Sequence, residues 1–102
     1  MAQIARWTTP SITYKPSMVE ITDVDKIYLV IIQCDKEVLR KEKADATIDV
    51  DGFTWELEQT DTSKLSSARS SFVQFDYTSG SARYTTAPKE YIITNSAINE
   101  VI

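Results

Sequence analysis

The sequence contains no histidine. That absence removes Ser/His and Cys/His nucleophilic pairs, imidazole acid–base catalysis and every imidazole metal ligand. Any catalysis would fall to carboxylates, lysines or tyrosines. There is one cysteine, Cys34, so no disulfide can close within the chain and packing must hold the fold. Glycine and proline are scarce, at two and three residues, and each one therefore marks a particular place. Positive charge is also in short supply. The 11 Lys and Arg are outnumbered by 15 Asp and Glu, for a formal charge of −4, whereas nucleic acid as a partner demands clustered base. The densest basic group, Arg40, Lys41 and Lys43, is diluted by Glu37, Glu42 and Asp45 and reads as a solvated surface. No apolar run exceeds Ile27 to Ile32, far too short to cross a bilayer. The opening stretch MAQIARWTTPSI has one basic residue and no apolar centre, so neither a signal peptide nor a membrane partner is expected.

What is present is alternation. The 102 residues, 42% hydrophobic and 25% charged, suit one folded domain spanning 1–102, with 1–7 and 95–102 expected as flexible or partner-bound tails. Pro10 and Pro16 bracket SITYK, a short edge strand in which Ile12 and Tyr14 share a face. EITDVDK at 20–26 reads as a loop or one helical turn. The run 27–32 is β-branched and stops after about six positions, which favours a strand over a helix. Residues 37–43 hold only Val38 and Leu39 as apolar anchors, too few to seat a helix, so a strand paired with 27–33 is expected. Asp51-Gly52 is the clearest turn signal and predicts a type I′ hairpin. Ile48 and Val50 alternate before it, and Phe53, Trp55 and Leu57 beyond it, so each flank should bury one face. QTDTSKLSSARS allows one helical turn anchored by Leu65. Val73, Phe75 and Tyr77 then form a strand, Ser79-Gly80 a turn, Ala82 and Tyr84 a return strand, and EYIIT a last one. Seven or eight short strands with turns every eight to twelve residues predict an all-β domain, an immunoglobulin-like β-sandwich or, as the alternative, a small β-barrel.

Four groups of residues bear on chemistry. A reactive thiolate needs a cationic setting, but Lys36 beside Cys34 is opposed by Asp35, and a hairpin tip is expected there. Asp49 with Asp51, and Glu56 with Glu58, supply the carboxylate pairs of a glycosidase without a groove between them. Asp45, Asp49, Asp51 and Asp61 have part of a calcium loop's spacing but lack its continuous ligand pattern. Among the aromatics, Trp55, Phe75 and Tyr77 fall on core-facing positions. No catalytic, cofactor-binding or metal-binding residue is assigned and no cofactor is expected. Tyr28 differs from the other aromatics. With Val30 and Ile32 it forms an apolar row on the face opposite Ile27, Leu29 and Ile31, where a sandwich strand should meet water. Such a row is covered either by a local segment, such as the tail, or by another chain. Tyr28, Val30 and Ile32 are therefore the interface candidates.

The order of segments resembles a family of short structural proteins of tailed phages and prophages of Gram-positive bacteria. The likeness runs from TTPSITY through KIYLVIIQ, EVLRKEKADATI, FTWELEQTDT and FVQFDYTSGSA to a tail closing on EVI. It rests on Thr8-Thr9-Pro10, on Gln33 at a strand end, on Gln59, Asp61 and Thr62, and on Gln74. Where the family often turns through Gly or Asn, this chain has Cys34-Asp35-Lys36, which leaves the turn type open. The resemblance implies a non-enzymatic virion component of the tail, baseplate or fibre region, made in the bacterial cytoplasm. Its partners would be other virion proteins, with homo-oligomers among the assemblies. A carbohydrate- or receptor-binding module on the same scaffold is the second expectation.

Overall fold

A strand whose side chains alternate in character has one face to bury. The computed structural model describes residues 2–102, and in it nine strands form two facing sheets. The strands are β1 (Gln3–Ala5), β2 (Ser11–Tyr14), β3 (Lys26–Gln33), β4 (Lys36–Lys41), β5 (Thr47–Asp49), β6 (Gly52–Glu56), β7 (Ser71–Ser79), β8 (Ala82–Thr85) and β9 (Lys89–Thr94). One short helix, α1 (Gln59–Thr62), and 3₁₀ turns at Ile21–Asp23 and Lys43–Asp45 complete them. The larger sheet runs β1-β9-β7-β3-β4, with β8 beside the second half of β7, and the smaller runs β2-β6-β5. Among the described residues no ladder joins the two sheets, so the fold is a sandwich and not a closed barrel.

The core lies where the sheets face each other. From β3 come Ile27, Leu29 and Ile31, each fully buried, and from β7 come Val73, Phe75 and Tyr77. Across from them Phe53 and Trp55 of β6 and Ile12 of β2 close the layer. The Phe75 ring stacks on Tyr14 at 4.5 Å and on Trp55 at 5.7 Å, so aromatic contacts bridge the sheets. Each such ring contributes about 2–3 kcal/mol by leaving water. The Trp55 indole donates to the Glu42 carbonyl at 2.9 Å, which satisfies its one polar atom. Burial first, and then the neighbouring Tyr77 hydroxyl, push the Tyr14 phenol up to about 12.

One turn completes the sequence-based expectation and another departs from it. Cys34 and Asp35 have φ of 54° and 61° and join the paired residues Gln33 and Lys36. Two successive left-handed residues in a two-residue loop are what a type I′ hairpin requires. That resolves the turn the sequence left open, and it places two L-residues where Asn-Gly fits better. Replacing the pair by Cys34→Asn with Asp35→Gly is expected to stabilise the fold by about 1 kcal/mol, raising Tm by about 4–8 °C in a calorimetric scan. Asp51-Gly52, by contrast, is not type I′. Gly52 pairs with Asp49 and alone has positive φ, 114°, while the Asp49 carboxylate accepts the Asp51 amide at 2.8 Å. Glycine stands at 52 for a second reason: a Cβ there would lie 2.3 Å from the Tyr14 carbonyl oxygen.

Three further expectations are corrected. Residues 3–5 are no tail: β1 pairs in parallel with β9 and buries Ile4 (Met1 lies outside the described residues). With Ile4 as its one large apolar residue, a strand of only three positions left no alternation to read. Residues 95–102 form no strand or helix, but the chain ends on α1, where the Ile102 amide and carbonyl bond the Gln59 side chain at 2.8 and 2.9 Å. Ile48 and Val50 do not face the core and are 49% and 82% exposed. β5 is the outer strand of the smaller sheet, and Val50 belongs to its turn.

Candidate functional site

The chemical candidates resolve into local structure. Cys34 is an exposed free thiol at the hairpin tip. Three of the four aspartates each serve a nearby backbone amide: Asp45 accepts from Glu42, Asp49 from Asp51, and Asp61 from Glu58, at 2.9, 2.8 and 2.9 Å. Among the described residues no three acidic or cysteine side chains are grouped as a metal ion requires. Glu56 ends β6 in solvent, and Glu58 caps α1.

The polar positions that carry the resemblance hold the chain to itself. Gln33 continues the inward face of β3 and is buried. Its amide donates to the Ser66 and Arg69 carbonyls at 2.9 and 3.3 Å and accepts the Ser66 N–H at 2.9 Å. The Thr62 hydroxyl donates to the Thr8 carbonyl at 2.8 Å and accepts the Thr8 amide at 3.0 Å, fastening α1 to the segment before β2. Gln74 donates to the Thr86 carbonyl at 2.8 Å and steadies the passage from β8 to β9. Asp61, buried, pairs with Lys41 at 2.9 Å.

Burial alone would raise the Asp61 carboxyl, but the Glu58 amide and the Lys41 ammonium outweigh it and hold it below its ordinary 3.8. A carboxylate depressed by folding contributes stability that is present above its unfolded pKa and lost as pH falls toward the folded one. Urea midpoints are therefore expected to fall between about pH 5 and pH 2, and to fall less steeply in Asp61→Asn. Equal slopes in the two proteins would remove Asp61 from the acid limb.

The predicted apolar row sits on the outer face of the larger sheet. Tyr28 lies opposite Asp76, Val30 between Gln74 and Arg40, and Ile32 between Phe72 and Glu37. All three are half-buried by these neighbours. The Arg40 guanidinium stands 5.7 Å from the Tyr28 ring centre and pairs with Glu37 at 2.7 Å. On the far border Arg83 pairs with Asp76 at 3.4 Å. The result is a shallow depression of about 340 Å³ lined by residues of β3, β4, β7 and β8 alone. The C-terminal segment lines a different surface, where Val101 borders an open recess together with Leu57 and Gln59. Along the same sheet face Phe72 and Ile92 remain 39% and 38% exposed.

A second surface was not foreseen. The 15–23 segment and the β5–β6 turn enclose an open groove of about 980 Å³. Met18 and Val50 are its most exposed apolar residues, at 69% and 82%. Its border holds Glu20, Asp23 and Asp49 against Lys15. The signal available in sequence was the shortness of the apolar stretch before Asp51-Gly52, which left Val50 inside the turn. Compared with protein-family models, with curated proteins and with solved structures, the chain matches none. Among the described residues no helix is long and apolar enough to cross a membrane.

Proposed function

We propose that this chain is a non-enzymatic structural component of a phage or prophage virion, in the tail, baseplate or fibre region, acting through protein–protein contacts. The observation that carries this reading is the row Tyr28, Val30 and Ile32 on a central strand, with no segment from outside the sheet lining it. Apolar surface held on a rigid strand and rimmed by charge is suited to assembly. The family resemblance supplies the virion, and with it an immunoglobulin-like reading of the sandwich. The resemblance positions support the same view from another side, since Gln33, Thr62 and Gln74 fix loops and strand ends by internal bonds. The carbohydrate-binding reading draws less support. Phe53, Trp55, Phe75 and Tyr77 are buried in the core, and a stacking platform for sugar would need such rings exposed.

The test is incorporation. In the phage or prophage that encodes the chain, Tyr28→Glu with Ile32→Glu is expected to leave a folded protein in the lysate and to remove it from purified particles, as read by quantitative mass spectrometry. Particles that contain the variant at the wild-type level would overturn the reading.

A further inference from the structure

The outer face of the larger sheet is electrically neutral on an acidic chain. Lys26, Arg40 and Arg83 alternate outward with core residues and balance Glu37, Asp76 and Glu90 on the same face, while the whole chain carries −4. Both signs occur on each border: Glu37 with Arg40 on β4, and Asp76 with Arg83 across β7 and β8. A strongly basic or strongly acidic partner finds nothing complementary here. Two copies of this chain repel over most of their surface but not over this one.

We propose that a second copy of the chain covers this face, forming a two-fold dimer with the larger sheets packed against each other. The proposal rests on reading the face as a protein-contact surface. A two-fold contact sets the same patch against itself, so its charges must be self-complementary, and a border carrying both signs allows that. Tyr28, Val30, Ile32 and Phe72 form the dry centre and the ion pairs form the rim, which is the common anatomy of such contacts. The area points to weak association. The strands of this face run from three residues in β1 to nine in β7, and at a rise of about 3.3 Å and a spacing of about 4.8 Å the five-strand sheet covers about 500 Å². Two copies would bury about 1,000 Å² in all, the weak end of specific interfaces, so micromolar affinity is expected.

Sedimentation velocity between about 1 and 500 μM reads this directly. The mass is expected to rise from the 11.5 kDa of one chain toward twice that value across this range. Tyr28→Glu with Ile32→Glu should stay monomeric throughout, with unchanged far-UV circular dichroism and melting. Arg40→Glu with Arg83→Glu, which turns the face acidic while sparing its apolar centre, should weaken the dimer at least about tenfold. Met18→Ser with Val50→Ser, in the groove, should dimerise as the wild type does. A wild-type monomer at the highest concentration, or a dimer indifferent to the face variants, overturns the proposal. If that monomer's Tyr28/Ile32 variant is still lost from particles, the virion reading stands without the dimer. If the variant breaks the dimer yet enters particles normally, the dimer stands and the virion reading falls.

Discussion

Gly52→Ala is expected to destabilise the protein by about 3–5 kcal/mol, a large part of a small domain's total stability. Two costs combine. A φ of 114° is open to glycine and strained for alanine, worth about 1–3 kcal/mol. The new methyl would also lie 2.3 Å from the Tyr14 carbonyl oxygen and 2.9 Å from the Lys15 Cα. These are backbone atoms, so β2 and β6 must separate locally, adding about 1–3 kcal/mol of overpacking. A drop in Tm of roughly 15–30 °C should follow in thermal melts. Gly80→Ala is the control. Gly80 also has positive φ, 59°, but nothing lies within 4 Å of a Cβ built there, so only the conformational cost of about 1 kcal/mol applies. Should the two variants melt within a degree or two of each other, the collision is not what fixes glycine at 52.

Gln33→Leu is expected to cost about 2–4 kcal/mol and to loosen one segment in particular. The volume is nearly kept, so a cavity contributes little. What disappears are three hydrogen bonds from a buried amide to Ser66 and Arg69, each worth about 1 kcal/mol, with the orphaned backbone groups adding their own penalty. Amide exchange of Ser66 should accelerate more than that of β7 residues such as Val73. Gln33→Glu should be worse than Gln33→Leu at neutral pH, because it aims a carboxylate at two carbonyl oxygens. Uniform acceleration across the sheet would mean that Gln33 supports only the global fold.

The sheets were legible wherever a strand was long and its faces differed. Val73 to Tyr77 declared their buried side by alternation with Gln74 and Asp76, Ile27 to Ile32 declared a strand by their β-branched run, and Leu65 marked the anchored end of the loop after α1. The strands of three residues were not legible. β1 offers one large apolar residue, Ile4, and β5 offers Ile48, which alternation assigned to the core although no opposing sheet covers it. Turn chemistry misled for a related reason. Asp-Gly is a strong type I′ signal only where the two residues fill the centre of the loop; here Val50 and Asp51 fill it and Gly52 pairs with Asp49, and that register is tertiary information. The apolar row on β3 was readable from sequence because both of its faces are apolar. The groove beside Met18 was not, since its walls come from segments some thirty residues apart.

The pairing of β1 with β9 bears on how the molecule comes into being. The contact between Arg6 and Asn95 spans a sequence separation of 89, and Gln3 aligns with Ile92. During synthesis the first strand therefore emerges long before its partner, with the Ile4 side chain unshielded in the meantime. Hairpins such as β3–β4 close early and locally, whereas the edge formed by β1 is set only after β9 has been made. Such late, distant pairing places folding in the range of about milliseconds to seconds. Within the larger sheet the order is thus reversed in time: its first-made strand is seated last.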